Sequence, residues 1–215
     1  MPEAAAEPGH ERAAGRLDNF VDGAFAFTLT LLVIAEASGS FGYGQLVQAM
    51  WRIPAFAAGF ALIANFWFAH VSWRRAGGGS DTVAVLLSLA LVFSVLVYVQ
   101  PVRVMTGTLT QFLTGGPIPP AFSMRGLFTL YGLGFAAMSA LTAALFWHSG
   151  RRGELHPDHR EGAVAWGVVA GSGVLSTALA QLPLPWLLIA PWCYAALPIA
   201  VPLAVARSRR RRTAA

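Results

Sequence analysis

Six long apolar stretches determine what this chain can fold into. They cover roughly residues 17–37, 51–73, 82–102, 122–147, 163–182 and 185–206, and a helix needs about 20 residues to cross the hydrocarbon core of a bilayer. Only 12% of the residues are charged, whereas about a quarter are charged in an ordinary soluble domain. The sequence therefore predicts an all-α integral membrane protein, with six transmembrane helices in one domain over residues 16–206.

The arginines predict the orientation of these helices. All fifteen basic residues are Arg, and twelve of them lie before the first stretch, after the second, after the fourth and after the sixth. The opposite side has only Arg52, Arg103 and Arg125. Because cytoplasmic loops are enriched in Arg and Lys, we expect a multi-pass protein of the cell membrane with both termini in the cytoplasm.

The two ends of the chain differ in composition. Residues 1–15 are rich in Ala, Glu and Pro and are predicted to be a disordered leader. Residues 207–215 carry five Arg, which predicts a basic cytoplasmic tail in weak contact with anionic lipids. A basic segment directly after a membrane helix is typical of a topology signal, so no nucleic-acid partner is expected.

Motifs for enzyme chemistry are absent from the sequence. It has no phosphate-binding Gly-rich loop ending in Lys, no Gly-x-Ser-x-Gly elbow and no His-Glu-x-x-His helix. His156-Pro157-Asp158-His159 has side chains that can bind a metal, but so short a motif in a loop does not predict a metal site. Cys193, the single cysteine, lies in an apolar stretch and is expected to be a packing residue. The chain is predicted not to be an enzyme.

Glycine and proline predict how two of the helices pack. The spacing Gly167-x-x-x-Gly171, with Gly173 beyond it, is typical of helices whose backbones approach each other closely. The sixth helix is expected to bend, because neighbouring helices or water can satisfy the carbonyls that proline leaves free. Its three prolines are Pro191, Pro198 and Pro202.

Helix 1 has a carboxylate, Asp22, in its first membrane turns. At about 100° per residue, one face of this helix is apolar apart from a single hydroxyl. That face contains Phe20, Gly23, Phe27, Thr30, Leu31 and Ile34. Asp22 projects about 140° away from Phe27. A charge inside a membrane span is costly, so we expect Asp22 to be buried against other helices and to have a partner.

Helix 2 offers that partner. Trp67 and His70 are three residues apart and share a helix face. Helix 1 begins where helix 2 ends, so His70 is expected at a depth similar to that of Asp22. An Asp22–His70 contact, with Arg16 nearby, would satisfy these groups. Two interpretations of His70 stay open: a hydrogen-bonded packing residue, or a group that takes part in gating.

The opening of helix 1 resembles a known family. Arg16-x-x-x-Phe20-Val21-Asp22-Gly23, followed by an apolar run, is similar to the Arg-x-x-x-Phe-Ser-Asp signature of the transmembrane protein 175 family of potassium channels. Val21 stands where this family usually has Ser, which removes one hydroxyl near Asp22.

Helices 2 and 3 extend the resemblance. Trp67-x-x-His70, and Pro101 at the predicted end of helix 3, stand where the family tends to have Trp, His and Pro. Val71 replaces the second His that often follows the first. From helix 4 onward the likeness is one of hydropathy only.

The resemblance implies a homotetramer around helix 1, with potassium as the permeant ion and no cofactor. It also implies a constriction of apolar side chains with a Thr or Ser layer, instead of a ladder of carbonyls. The implied filter residues are Phe27, Thr30 or Leu31, and Ile34. Phe27, which is larger than the branched aliphatic residue expected at this level, would narrow the pore, unless it packs against lipid or a neighbouring helix. The implied structural or gating network consists of Arg16, Phe20, Asp22, Trp67 and His70.

The leading hypothesis is therefore a potassium-preferring cation channel. The alternative is a non-conducting membrane scaffold or assembly protein of the same fold. A membrane-embedded enzyme ranks last, because no cluster of polar side chains is visible in the sequence.

Overall fold

The computed structural model describes residues 8–36, 43–116, 120–151, 157–183 and 186–213, and all of its regular structure is helical. The helices are α1 (Pro8–Glu36), α2 (Tyr43–Arg75), α3 (Thr82–Leu113), α4 (Ala121–Arg151), α5 (Pro157–Ala180), α6 (Trp186–Ile189) and α7 (Leu197–Thr213), with a 3₁₀ segment, Ala190–Ala196, between α6 and α7.

The predicted six spans are confirmed as helices. Six helical segments are long and apolar enough to cross a membrane, from Gly15–Ile34 to Ala190–Arg210. The chain is a multi-pass, all-α membrane protein. The 3₁₀ segment begins the sixth span and has Pro191 in its first turn, and Pro202 lies inside α7. This interruption agrees with the predicted bend of the sixth helix.

Several helix boundaries differ from the predicted ones. Helix α1 begins at Pro8, so residues 8–15 of the predicted disordered leader are helical, while residues 1–7 lie outside the described part of the chain. Helix α3 does not end near Pro101 but continues to Leu113. Proline is tolerated inside membrane helices because the freed backbone groups find other partners.

Contacts between helix ends reveal an up-and-down arrangement. Asp18 near the start of α1 contacts Arg74 at the end of α2, and Asp81 before α3 contacts His148 at the end of α4. Glu161 near the start of α5 pairs with Arg209 near the end of α7. We call the side of the bundle where these contacts lie the basic end.

Helices α4 and α5 approach each other closely at glycines. A Cβ added to Gly173 would lie 2.9 Å from the backbone nitrogen of Ala136, and one added to Gly132 would lie 3.0 Å from the carbonyl oxygen of Gly173. Gly167 and Gly171 have no such neighbour within 4 Å in this chain. The predicted close approach of α5 is therefore correct for Gly173 and wrong, within the single chain, for the Gly167-x-x-x-Gly171 pair.

Candidate pore-lining face

Helix α1 has two different faces. Its buried face packs against the rest of the bundle through side chains spaced three or four residues apart, which places them on one side of the helix. The buried residues are Leu17, Val21, Phe25, Thr28 and Leu32. Val21, which stands where the family signature has Ser, is fully buried. An apolar side chain suits this position because it lies in the main core.

The other face of α1 is uncovered in the single chain. Phe20, Phe27 and Ile34 are 56%, 58% and 61% exposed, and Thr30 and Gly23 are exposed as well. Leu31 differs from the rest of the predicted set, because it is partly buried and packs against the core. The exposed face thus comprises most of the residues predicted to line a pore, with Leu31 at its edge.

The hydroxyl of Thr30 has a defined orientation. It donates to the carbonyl oxygen of Ala26 at 2.9 Å, one turn earlier in the same helix. A threonine oxygen whose O–H donates to a backbone carbonyl still has lone pairs that can accept. Toward the exposed face, Thr30 therefore offers an acceptor and no donor, which is the polarity that suits a cation.

Asp22 has a partner, but it is not the predicted one. The indole Nε1 of Trp67 donates to Asp22 Oδ1 at 2.7 Å. His70 instead lies 3.1 Å, through Nε2, from the hydroxyl of Ser88 on α3. The predicted Asp22–His70 contact is thus wrong, because the indole of Trp67 reaches the carboxylate and His70 faces α3. Asp22 is also exposed and not buried against other helices as predicted.

The two other residues of the predicted network lie at the surface. Arg16 is exposed at the start of the first span, and Phe20 belongs to the uncovered face of α1. His70 is buried and its ring centroid lies 5.2 Å from that of Trp73. The structure therefore brings Asp22 and Trp67 together, while His70 joins α2 to α3.

Sequence reasoning missed the arginine that fixes the start of α1. Arg74 Nε lies 2.7 Å from Asp18 Oδ1, and Arg74 Nη2 donates to Asp18 Oδ2 at 3.2 Å. Arg74 Nη1 also donates to the carbonyl oxygens of Gly78 and Gly79 in the turn after α2. The distribution of arginines in the sequence predicts Arg74 only as a topology signal. The signal that could have identified the pair is Asp18, a second acid one helical turn before Asp22.

Trp73 is a second contact that the sequence did not single out. Its ring is fully buried, its Nε1 donates to the hydroxyl of Ser149 on α4 at 2.8 Å, and Gly78 packs directly on the ring. A Cβ on Gly78 would lie 2.6 Å from Trp73 Cε2. This tryptophan therefore ties α2 to α4 at the basic end.

The predicted metal-capable run is only partly visible. His156 lies outside the described residues, whereas Asp158 and His159 belong to the first turn of α5. His159 is buried with its ring centroid 6.3 Å from that of Phe146. Among the side chains that the structure describes, no group of three His, Cys, Asp or Glu is placed to hold a metal ion.

These features define a class: a multi-pass helical membrane protein whose first helix leaves one face uncovered. Comparison with known proteins then confirms the resemblance in helix 1. Residues 16–98 match the model of the family described as "Endosomal/lysosomal potassium channel TMEM175". The chain is similar to this family over α1, α2 and the first half of α3, and the family is one of ion channels and not of enzymes.

Two curated relatives are both named potassium channels. A protein of Marivirga tractuosa named "Potassium channel" is 30% identical over 145 residues, which cover 62% of this chain and 58% of that protein. A potassium channel of Streptomyces collinus is 29% identical over 147 residues, or 66% of this chain and 67% of that protein. The chain thus spans under two thirds of the Marivirga protein.

A solved structure extends the similarity of fold beyond α3. It is the crystal structure of a variant of the potassium channel MtTMEM175 in complex with a nanobody–MBP fusion. The two chains superpose with a TM-score of 0.77 over 91% of this chain and 93% of the other, at 21% sequence identity. The helical fold is therefore shared along nearly the whole chain.

Proposed function

We propose that this chain is a potassium-preferring cation channel of the cell membrane, with both termini in the cytoplasm. Four copies assemble around α1, and the uncovered face of that helix lines the pore. The observation that carries this proposal is the position of that face. A lipid-facing helix is also apolar, but this face lies within the residues that match the channel family, and both curated relatives are named potassium channels.

The pore works through an apolar constriction. Four Phe27 rings at one level exclude water when the pore is narrow, and such a ring gates by dewetting. Thr30 lies three residues, or about 4.5 Å, farther along, and its oxygen coordinates a cation that has shed water. Ile34 continues the lining. Potassium holds its water less tightly than sodium, so an apolar ring favours potassium.

The network around Asp22 positions this face. From α2, Trp67 donates a hydrogen bond to the Asp22 carboxylate. Arg74, also on α2, forms an ion pair with Asp18, one turn earlier on α1. Both bonds fix the rotation of α1 about its own axis, because they lie at its sides and not on the face with Phe27. Asp22, Trp67 and His70, which bond to neighbouring helices, therefore act in structure and assembly. Phe27, Thr30 and Ile34, with Leu31 at the edge, contact ions or their water. Phe20 and Arg16 lie nearer the basic end on the exposed surface of α1.

Phe27→Ala tests the constriction. A ring of this size sets the barrier to a hydrated ion, and removal of the four rings widens the pore. We therefore expect cation flux out of potassium-loaded or sodium-loaded liposomes to rise about tenfold or more, with a smaller preference for potassium. Phe93→Ala is the matched control, since Phe93 is an exposed phenylalanine on α3. We expect flux through that variant to be unchanged.

Two outcomes would contradict the proposal. If Phe27→Ala and the unmodified chain carry the same flux in folded tetramers, Phe27 does not line the pore. If neither protein conducts any cation in liposomes although both form tetramers, the chain is a non-conducting scaffold of the same fold.

A further inference from the structure

The basic end carries a charged surface that the pore does not use. Residues 151–162 and 207–215 together contain eight Arg and three acidic residues. Arg151, Arg160 and Arg207 are exposed side chains on α4, α5 and α7. We propose that these three arginines form a binding surface for the phosphate headgroups of anionic phospholipids.

The pair between Glu161 and Arg209 gives this surface its shape. Arg209 donates to Glu161 from both Nε and Nη2, with a distance of 2.6 Å for each bond. Two parallel bonds of this kind fix orientation as well as distance. They hold the last turns of α7 against the start of α5, so Arg207 and Arg160 lie at the same end of two helices that contact each other. Arg209 is thereby a positioning residue, and its own charge is balanced.

A tryptophan marks the depth of the surface in the bilayer. Trp147 is 57% exposed near the end of α4, and the guanidinium carbon of Arg151 lies 4.5 Å from its ring centroid. Tryptophan rings concentrate at the level of the lipid headgroups. The surrounding membrane spans end at Arg151 and Arg210 and begin at Asp158. The three arginines thus lie where the helices leave the hydrocarbon, within reach of lipid phosphates.

This position favours lipid over a soluble phosphate. A cluster of arginines next to a membrane helix binds anionic lipid with a gain of about fivefold in affinity for each basic residue near the surface. A soluble ion would meet the same arginines in water, where screening weakens the contact. The surface therefore selects phosphatidylglycerol or a similar anionic lipid over phosphatidylcholine, whose headgroup has no net charge.

The test is thermal unfolding of the purified full-length protein in a neutral detergent. We expect phosphatidylglycerol to raise the melting temperature in a saturable way, and phosphatidylcholine or inorganic phosphate at the same concentration to leave it unchanged. Stabilisation by inorganic phosphate equal to that by phosphatidylglycerol would overturn the assignment to lipid. An equal effect of phosphatidylcholine would overturn the role of charge.

A pair of matched double variants locates the surface. Arg160→Gln with Arg207→Gln should weaken phosphatidylglycerol binding about 25-fold, as two fivefold losses. Arg103→Gln with Arg125→Gln removes the same charge from two exposed arginines at the opposite end and should leave the affinity unchanged. Equal losses in the two double variants, or none in the first, would overturn the proposal. Size-exclusion profiles without lipid verify that both variants are folded.

Discussion

The two ends of the helical bundle are held together in different ways. At the basic end, polar side chains join different helices through hydrogen bonds or ion pairs. These pairs are Asp18–Arg74, Asp22–Trp67, His70–Ser88, Trp73–Ser149, Asp81–His148 and Glu161–Arg209. In the opposite half, Gln181 on the turn after α5 donates to Thr129 on α4 at 2.8 Å. A small apolar cluster also joins α4, α5 and α6 there, and it contains Phe128, Ala180, Leu187 and Ala190.

The opposite half also contains open space. A cavity of about 390 Å³ lies between α2, α3 and α4 and is lined by Gly59, Leu62 and Val102 among others. A second cavity, of about 190 Å³, lies between α1 and α2 and is lined by Val33, Ile53 and Phe56 among others. Both spaces open to the surface of the single chain, and exposed side chains such as Val33 and Ile53 border the second one.

The difference between the ends matters for α1. Its start is fixed at Asp18 and Asp22 by directional bonds, whereas Val33 borders a cavity near its end. Phe27 and Ile34 lie beyond these two bonds on the uncovered face, while Leu32 on the other face of α1 is fully buried in the core. The proposed gate at Phe27 is therefore supported from one side only, by the packing of α1 on the bundle.

The largest effect is expected from the basic end, at Trp73. Trp73→Ala removes a fully buried ring and the bond to Ser149, which should lower the free energy of unfolding by about 3–5 kcal/mol. Trp147→Ala is the matched control, because Trp147 is mostly exposed, and we expect a loss of about 0.5 kcal/mol or less. Unfolding in detergent without anionic lipid measures both. Equal losses would mean that the basic end is not the anchored one.

A smaller effect is expected in the opposite half, at the contact of α4 with α5. Gly173→Ala brings a methyl group to 2.9 Å from backbone atoms of Ala136, which cannot rotate away as a side chain can. Overpacking of this kind costs about 1–3 kcal/mol. Gly171→Ala meets open space in the single chain, so helix propensity should make it neutral or stabilising by up to about 1 kcal/mol. Unfolding of both variants compares them directly, and a neutral Gly173→Ala would show that the helices can separate.

The sequence predicted the helices well because one physical requirement governs them. Each span must satisfy its backbone hydrogen bonds inside the bilayer, and only a helix of about 20 residues does so without partners. The exposed face of α1 could also be predicted, since Phe20, Phe27 and Ile34 follow from helical periodicity. Helix ends were less predictable, because Pro101 lies inside α3 without ending it, and α1 begins at Pro8, well before the apolar stretch, where proline is compatible with the first helical turn.

Side-chain partners could not be predicted in the same way. The position of His70 in the sequence indicates its depth in the membrane but not which neighbour it faces. At that depth, either Asp22 on α1 or Ser88 on α3 could be its hydrogen-bond partner. The choice depends on the rotation of α2 relative to α1 and α3. That rotation is set by close packing such as Gly59 against Val102 and Thr106, which no pattern within a single helix reveals.

The smallest effect is expected at Asp22, which lies between the anchored start of α1 and the level of Phe27. Asp22→Leu removes the acceptor for Trp67 Nε1 and should lower the free energy of unfolding by about 0.5–1.5 kcal/mol. Asp22→Asn keeps an acceptor oxygen and should cost less. Trp67→Phe removes the same bond from the other side, so combining it with Asp22→Leu should cost less than the sum of the two single changes.

Flux measurements decide whether this contact belongs to the anchor or to the pore. If Asp22 positions α1, Asp22→Leu lowers the yield of tetramer but leaves the potassium-to-sodium flux ratio of the remaining tetramers within about twofold, since the contact contributes only about 1 kcal/mol and lies away from Phe27. Asn19→Leu, an exposed polar position one turn earlier, is the control for added apolar surface. A changed flux ratio with an unchanged tetramer yield would place the Asp22 carboxylate in the ion pathway, and the anchored end would then be part of the filter.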